Sequence, residues 1–432
     1  MEADKMLFKN ISYFSPKGEV VKNAFVLTEG ELIKYAGTAM PQISADEEIF
    51  DGTDKLLLPG FVNTHCHVPM VIMRGLGGSL PLDRWLNEAV FPTEAHLEQE
   101  DVYYGALLGI AEMLKSGITS FNDMYYFSGR ICDAAIESGI NANIAMDGFA
   151  FDPAMKNRFS IEKETLESFF KEYNNRENGR IKTDMCIHAE YTTTYGRCAA
   201  LSDIALSLGA NVQLHLSETL GENNGCIERH KKTPAQYFED MGLFKNKTTV
   251  AHCVHLTDND IEILKRNGVS VSHCPVSNLK LASGFADIAK MAENGINVTL
   301  GTDGAASNDN LNILEEIKTA SMLQKALHGN AALMPPAQML KIASLNGALS
   351  QGRENTGKIE AGCFADFAVA DFNMENMTPA GDMLNTFVYS ALPENICLTM
   401  CRGKVLYCKG EFLTIDIEKV MHEVRIRSKR LL

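Results

Sequence analysis

Several histidines and carboxylates in this chain are spaced so that they could share one cation. His65-Cys66-His67 closes an apolar run, LLLPGFVNTH. Residues two apart on a strand project from the same face, about 7 Å apart along the chain, so both imidazoles can reach one ion. His215 lies near the end of a second run (NVQLHLSE), His252 in a third (TTVAHCVH) and Asp303 at the end of a fourth (NVTLGTD). Nitrogen and oxygen donors from four strand ends describe a divalent metal site. A lone histidine is more often a satisfied polar residue than a ligand. Here, however, five of the 11 histidines (65, 67, 188, 215 and 252) fall at or next to the ends of separate apolar runs, and packing alone does not place them there. His96, His230, His328 and His422 occupy helical or loop contexts and are read as ordinary polar residues, whereas His255 and His273 stay open.

For these residues to meet, the runs that carry them must lie side by side. From Leu56 onward eight such runs recur: LLLPGFVNTH, ITSFND, NANIAMD, TDMCIHAE, NVQLHLSE, TTVAHCVH, VSVSHCP and NVTLGTD. Between them lie helical patterns such as DVYYGALLGIAEMLKSG, each closing near a glycine. Strands alternating with helices imply a parallel sheet, and eight of them close a (β/α)₈ barrel, whose chemistry sits at the C-terminal strand ends. The fold class is therefore α/β, with the barrel over residues 57–350. Residues 1–56 show short alternating runs (AFVLTEGELIKYAG), and residues 351–432 return to that pattern (GKIEAGCFADFAVADF, CRGKVLYCKGEF). Both chain ends are expected to build one small β-sandwich domain.

The composition bounds the partners. The chain has 432 residues, 45% hydrophobic and 22% charged, which excludes disorder, collagen and coiled coil as whole-chain descriptions. Its net charge of −15 repels phosphate backbones and anionic lipid, so nucleic acid and membrane are poor partners and a small molecule is the better expectation. The start, MEADKMLFKN, lacks a basic-then-apolar signal, no stretch suits a membrane span, and the 11 cysteines form no C-x-x-C pair. A cytoplasmic protein with reduced, mostly buried thiols is expected; a homo-oligomer is left open.

The text PGFVNTHCHVPMVIMRGL, followed in order by HLSE, AHCVHL, SNLKLASG and LGTDGAASN, resembles the amidohydrolase superfamily, and within it the branch of 5'-methylthioadenosine and S-adenosylhomocysteine deaminases. The resemblance runs over nearly the whole chain. It implies His65, His67, His215 and Asp303 as metal ligands. Binuclear relatives hold a second ion with a lysine at the fourth strand, where this chain reads IHAEY, so one ion is expected, Zn²⁺ before Fe²⁺ or Mn²⁺. It further implies hydrolytic deamination at C6 of an adenosine-type nucleoside by metal-acidified water. Glu218, three residues past His215, would move protons to N1 and to departing ammonia; His252 would hydrogen-bond the nucleophile, and Asp303 would take its proton. Glu94 would accept both ribose hydroxyls, with Trp85, His188 and Ser307 bordering the nucleoside.

His188-Ala189-Glu190 matches the H-x-E of another zinc deaminase class, but the P-C-x-x-C that class needs is missing and only the reversed Cys274-Pro275 occurs. Within the resembled fold the alternatives are guanine deaminase and hydrolases of s-triazines or cyclic amides, because fold alone does not choose. A scaffold without activity would usually have lost ligands, and none is missing. At the 5' tail, relatives that take S-adenosylhomocysteine typically offer an arginine near the end of the third strand, where Met146 and Asp147 stand here, with Arg158 in the following segment as a partial offset. Neutral 5' groups are expected to be preferred.

Overall fold

The alternation in the first 56 residues becomes five strands: β1 (Lys5–Phe14), β2 (Val20–Glu29), β3 (Leu32–Gly37), β4 (Glu48–Asp51) and β5 (Lys55–Pro59). The computed structural model describes residues 5–42, 48–78, 80–146 and 163–432. The eight apolar runs become β6 (Phe61–Cys66), β7 (Ile118–Met124), β8 (Asn141–Met146), β9 (Ile181–Cys186), β10 (Val212–Leu216), β11 (Thr248–His252), β12 (Ser270–His273) and β13 (Asn297–Leu300). Four more follow: β14 (Phe367–Asp371), β15 (Ile396–Cys401), β16 (Lys404–Cys408) and β17 (Glu411–Phe412).

Strands β6 to β13 pair in sequence order and in parallel, forming the eight-stranded barrel sheet. The nine remaining strands form a separate mixed sheet from both chain ends, in the order β17-β16-β15-β14-β5-β1-β2-β3, with β4 on β1. This second sheet curls back on itself: Leu32 pairs with Phe364, and a side chain at Gly403 would collide with the carbonyl of Gly30. Side-chain alternation serves two cores at once. On β5, Leu56 and Leu58 enter the large barrel core while Leu57 enters the small-sheet core; on β14, Ala368 and Ala370 face the barrel and Phe367 and Val369 face the small sheet.

Barrel helices bury one stripe each. In Gln99–Lys115 the buried residues Val102, Ala106, Ile110 and Leu114 recur every fourth position, and the Glu98 backbone N–H is capped by Asp101 at 2.7 Å. Asp101 also accepts Arg427 at 3.3 Å and pairs with Arg430, which docks the last helix, Ile417–Leu431, on this barrel helix. All 11 cysteines are free thiols, ten of them buried. Among the described residues no helix is long and apolar enough to cross a membrane.

Side chains, not a ladder, join the last barrel strand to the first. Asn63 Nδ2 donates to Thr302 Oγ1 at 2.7 Å, the Thr302 N–H donates to Asn63 Oδ1 at 3.0 Å, and Thr64 Oγ1 donates to the Leu300 carbonyl at 2.9 Å. One residue further, the Asp303 N–H reaches the His65 carbonyl at 3.0 Å. Gly301 permits this approach, since a Cβ there would stand 2.6 Å from Ser272 Oγ and 2.8 Å from the His65 oxygen. Asn63→Ala removes the partner of a buried N–H and a buried hydroxyl at this seam. The expected loss is about 2–6 kcal/mol, at roughly 1–3 kcal/mol for each of the two stranded groups. Urea unfolding should show the midpoint fall at unchanged slope; an unmoved midpoint would mean that the seam does not depend on Asn63.

Candidate active site

Three strand ends turn their site residues inward by leaving extended backbone. Ser217, just past β10, has φ 52°, His252 at the end of β11 has φ 70°, and Asp303, just past β13, has φ 59°. Non-glycine residues in this left-handed region cost about 1–3 kcal/mol each and persist only where the surroundings hold them. Here the holding groups are visible. The Glu222 carboxylate accepts the Ser217 N–H at 3.0 Å and the Glu218 N–H at 2.7 Å, and the Asp303 side chain accepts the Gly304 N–H at 2.8 Å.

The imidazoles are fixed from behind. His67 Nδ1 donates to the Met124 carbonyl at 2.7 Å, and His215 Nδ1 donates to the His188 carbonyl at 2.8 Å. With those hydrogens committed, both rings aim Nε2 at the centre, and the two Nε2 atoms stand 3.3 Å apart. Asp303 Oδ1 lies 3.3 Å from His67 Nε2 and 3.5 Å from His65 Nε2, and the latter has no hydrogen-bond partner among the described residues. His252 Nδ1 is held by Asn278 Oδ1 at 2.9 Å, and the donor atoms of His65, His215, His252 and Asp303 all lie within 4.8 Å of one another. The close pair brings His67 into the same cluster. Acceptors converging in a buried space call for a cation, and this donor set fits a divalent metal.

Protonation equilibria agree at His65 and His215. Burial lowers His65 to about 4, and burial followed by the neighbouring imidazoles lowers His215 well below its ordinary range, so both rings are neutral, the form able to coordinate a cation. For His67 burial also disfavours the cation, but hydrogen bonding and charge from Asp303 outweigh it and push the group up to about 9. Burial alone would raise Asp303; its contacts with His65 and His67 hold it well below the carboxylate range. A proton between His67 and Asp303 satisfies the same acceptor that a metal cation would.

A cavity opens over this cluster and is lined by His67, His215, His252, Asp303, Glu218, Glu94, His188, Trp85 and Ser307 among others. The structure thus gathers nearly every expected site residue into one space, with His65 directly behind. Glu218 is buried, its Oε1 accepting Ser283 Oγ at 3.4 Å, and burial raises its pKa, with His252 opposing. Glu94, also buried, accepts Tyr125 Oη at 2.6 Å; burial pushes it up to about 7 against that hydrogen bond. Trp85 donates Nε1 to the Leu76 carbonyl at 3.0 Å and still faces the cavity. His188 Nδ1 meets Thr192 Oγ1 at 3.2 Å, its ring 4.6 Å from that of His215, and burial lowers it to about 3. Ser307 Oγ donates to Asp303 Oδ2 at 3.0 Å. Arg158 and Asp147 lie outside the described residues.

Sequence reasoning missed the residues that hold the site. Ser277 Oγ donates to Asp303 Oδ2 at 2.6 Å, Asn278 holds His252 and Ser283 meets Glu218. All three stand in SNLKLASG, the signal that was available; Glu222 and Tyr125 carried none. Of the open histidines, His255 donates to the Ser283 carbonyl at 2.8 Å, and His273 is buried with neither ring nitrogen partnered among the described residues. Glu190 of the H-x-E match is buried in pairs with Arg229 and His230.

Residues 56–406 match the model of the amidohydrolase family. A 5-methylthioadenosine/S-adenosylhomocysteine deaminase of Caldanaerobacter subterraneus subsp. tengcongensis is 39% identical over 429 residues, covering 99% of this chain and 98% of the relative. A 5'-deoxyadenosine deaminase of Methanococcus vannielii is 39% identical over 405 residues, 92% of this chain and 94% of the relative. Among solved structures, an adenosine deaminase of Xanthomonas campestris with bound zinc superposes with a TM-score of 0.93 at 28% identity, covering 100% of this chain and 99% of that one.

If a cation relieves the crowded acceptors, chelation should destabilise the fold. Relative to protein with free metal at 1,000 times its Kd, the stripped chain should lose about 4 kcal/mol, read as a lower and metal-dependent Tm. His215→Ala should abolish that dependence; a Tm indifferent to chelator in the wild type would count against a metal site.

Proposed function

This chain belongs to the amidohydrolase family, and from that premise we propose that it is a hydrolytic deaminase of adenosine-type nucleosides, using one divalent ion, zinc, held by His65, His67, His215 and Asp303. The observation that carries the reading is the 3.3 Å approach of two imidazole Nε2 atoms beside Asp303, in a cavity that also holds two buried carboxylates, Glu94 and Glu218. Full-length likeness to deaminases of this substrate class supports the choice of nucleoside.

When bound, the ion supplies Lewis acidity, which brings the pKa of water from about 15.7 toward about 7. The remaining work falls to the chain. Water adds at C6 of the purine while Glu218 gives a proton to N1 and recovers one from the attacking water; the second proton of water, taken by Asp303, passes to the amino group, the C6–N bond breaks, ammonia leaves and the inosine analogue remains. Burial favours the acid form of Glu218 at a higher pH than an exposed glutamate would allow, which suits this exchange. His252, tied at Nδ1 by Asn278, orients the attacking oxygen through Nε2. Asp303 takes the proton that water gives up, its Oδ2 steadied by Ser277 and Ser307. Glu94 accepts the ribose hydroxyls, and His188, Trp85 and Ser307 border the nucleoside. The reading of a single ion is supported by β9, whose one lysine, Lys182, reaches away to the Gly352 carbonyl at 2.7 Å.

The test is ammonia release from adenine, guanine and cytosine nucleosides, with elemental analysis of the same sample. Adenosine-type substrates should lead, with one tightly held ion per chain; a guanine preference or two ions would overturn the respective part. Glu218→Gln should keep the ion and lose about 10²-fold to 10⁴-fold in turnover. Full activity in that variant would remove Glu218 from the reaction.

A further inference from the structure

We infer that Tyr125 is the positioning residue that makes Glu94 a reader of the ribose diol, an inference that rests on the assignment of Glu94 above. Glu94 comes from the short helical stretch Phe91–Glu94 and not from a barrel strand, so no sheet fixes its carboxylate. The terminal torsion of a glutamate is broad, and a buried carboxylate without a partner would turn or take up a proton. Tyr125 opposes both: its hydroxyl holds one carboxylate oxygen in place and works against the rise in pKa that burial causes. It directly follows β7, is buried, and rests its ring against His67 with centroids 6.1 Å apart. Its Oη donates to Glu94 Oε1 at 2.6 Å, a short hydrogen bond that favours the ionised form of the carboxylate.

The count of lone pairs gives this bond a consequence for specificity. An ionised carboxylate offers about four acceptor sites, and Tyr125 takes one. About three remain, enough for two vicinal hydroxyls that each donate once. Without the tyrosine hydroxyl, a proton taken up by Glu94 would turn one acceptor oxygen into a donor and misread the diol. Tyr125 thereby links the β7 end, where the Met124 carbonyl anchors His67, to the ribose end of the same cavity.

The experiment separates KM from kcat for adenosine, 2'-deoxyadenosine and 3'-deoxyadenosine in wild type, Tyr125→Phe, Glu94→Gln and the double variant. Tyr125→Phe should raise the KM of adenosine about 10-fold to 100-fold, with kcat changed less than about 3-fold, and should narrow the gap between adenosine and the deoxy nucleosides. In the Glu94→Gln background the same substitution should add nothing to the adenosine KM. Tyr125→His, which restores a donor, should recover part of it. An equal effect on all three nucleosides, a loss confined to kcat, or full additivity with Glu94→Gln would overturn the role of Tyr125 while leaving Glu94 in place. A wild type that does not distinguish adenosine from its deoxy analogues would instead reject Glu94 as the ribose reader, and this inference with it.

Discussion

Two imidazole nitrogens 3.3 Å apart, each with its ring hydrogen already given to a carbonyl, repel unless positive charge lies between them. Asp303 adds a carboxylate oxygen at the same distance from His67, and His65 adds a buried nitrogen that bonds to nothing among the described residues. The backbone around this cluster is built to hold an arrangement that disfavours itself. Left-handed residues at Ser217, His252 and Asp303 aim strand ends inward, and Glu222, Asn278, Ser277 and the carbonyls of Met124 and His188 keep the side chains from relaxing outward. A cation relieves the repulsion without moving any of them, which is what preorganisation of a metal site means physically.

The barrel seam follows from the same demand. Asp303 can stand beside His65 and His67 only if the last strand comes very close to the first, and Gly301 marks how close. At that separation Asn63, Thr64 and Thr302 supply the joining hydrogen bonds from side chains and backbone together. Site and closure therefore share residues, so a substitution at the seam acts on stability and on ligand placement at once.

The eight runs were legible because a strand buried on both faces reads as continuous apolar text, and the polar residue that stops it sits on the functional rim. The same logic exposed His65, His67, His215, His252 and Asp303. What escaped was support across long separations: Ser277 acts on Asp303 from 26 residues away and Ser283 on Glu218 from 65. No periodicity marks such partners, and a serine in a loop reads as solvated. Trp85 shows a different limit, since it is both packed and in contact with the cavity, a distinction that sequence cannot draw. The docking of Arg427 and Arg430 on Asp101 was equally hidden, because isolated charges in a terminal helix look like an ordinary solvated face.

Glu94 and Glu218 show how one cavity can use the same side chain in two ways. Burial works on both in the same direction, favouring the protonated acid. Their partners differ. Glu94 meets a phenol at 2.6 Å, a firm donor that supports the ionised form, and charge on His67 also supports it. Among the described residues the Glu218 carboxylate meets only a serine hydroxyl, at 3.4 Å, while His252 and Asp303 pull it in opposite directions. A carboxylate with a firm donor is suited to accept hydrogen bonds steadily; one with a weak donor, set between a base and an anion, is suited to pass a proton back and forth. In the proposed reaction the division of labour between binding the sugar and moving protons on the base thus comes from a hydroxyl's distance, not from the residue type.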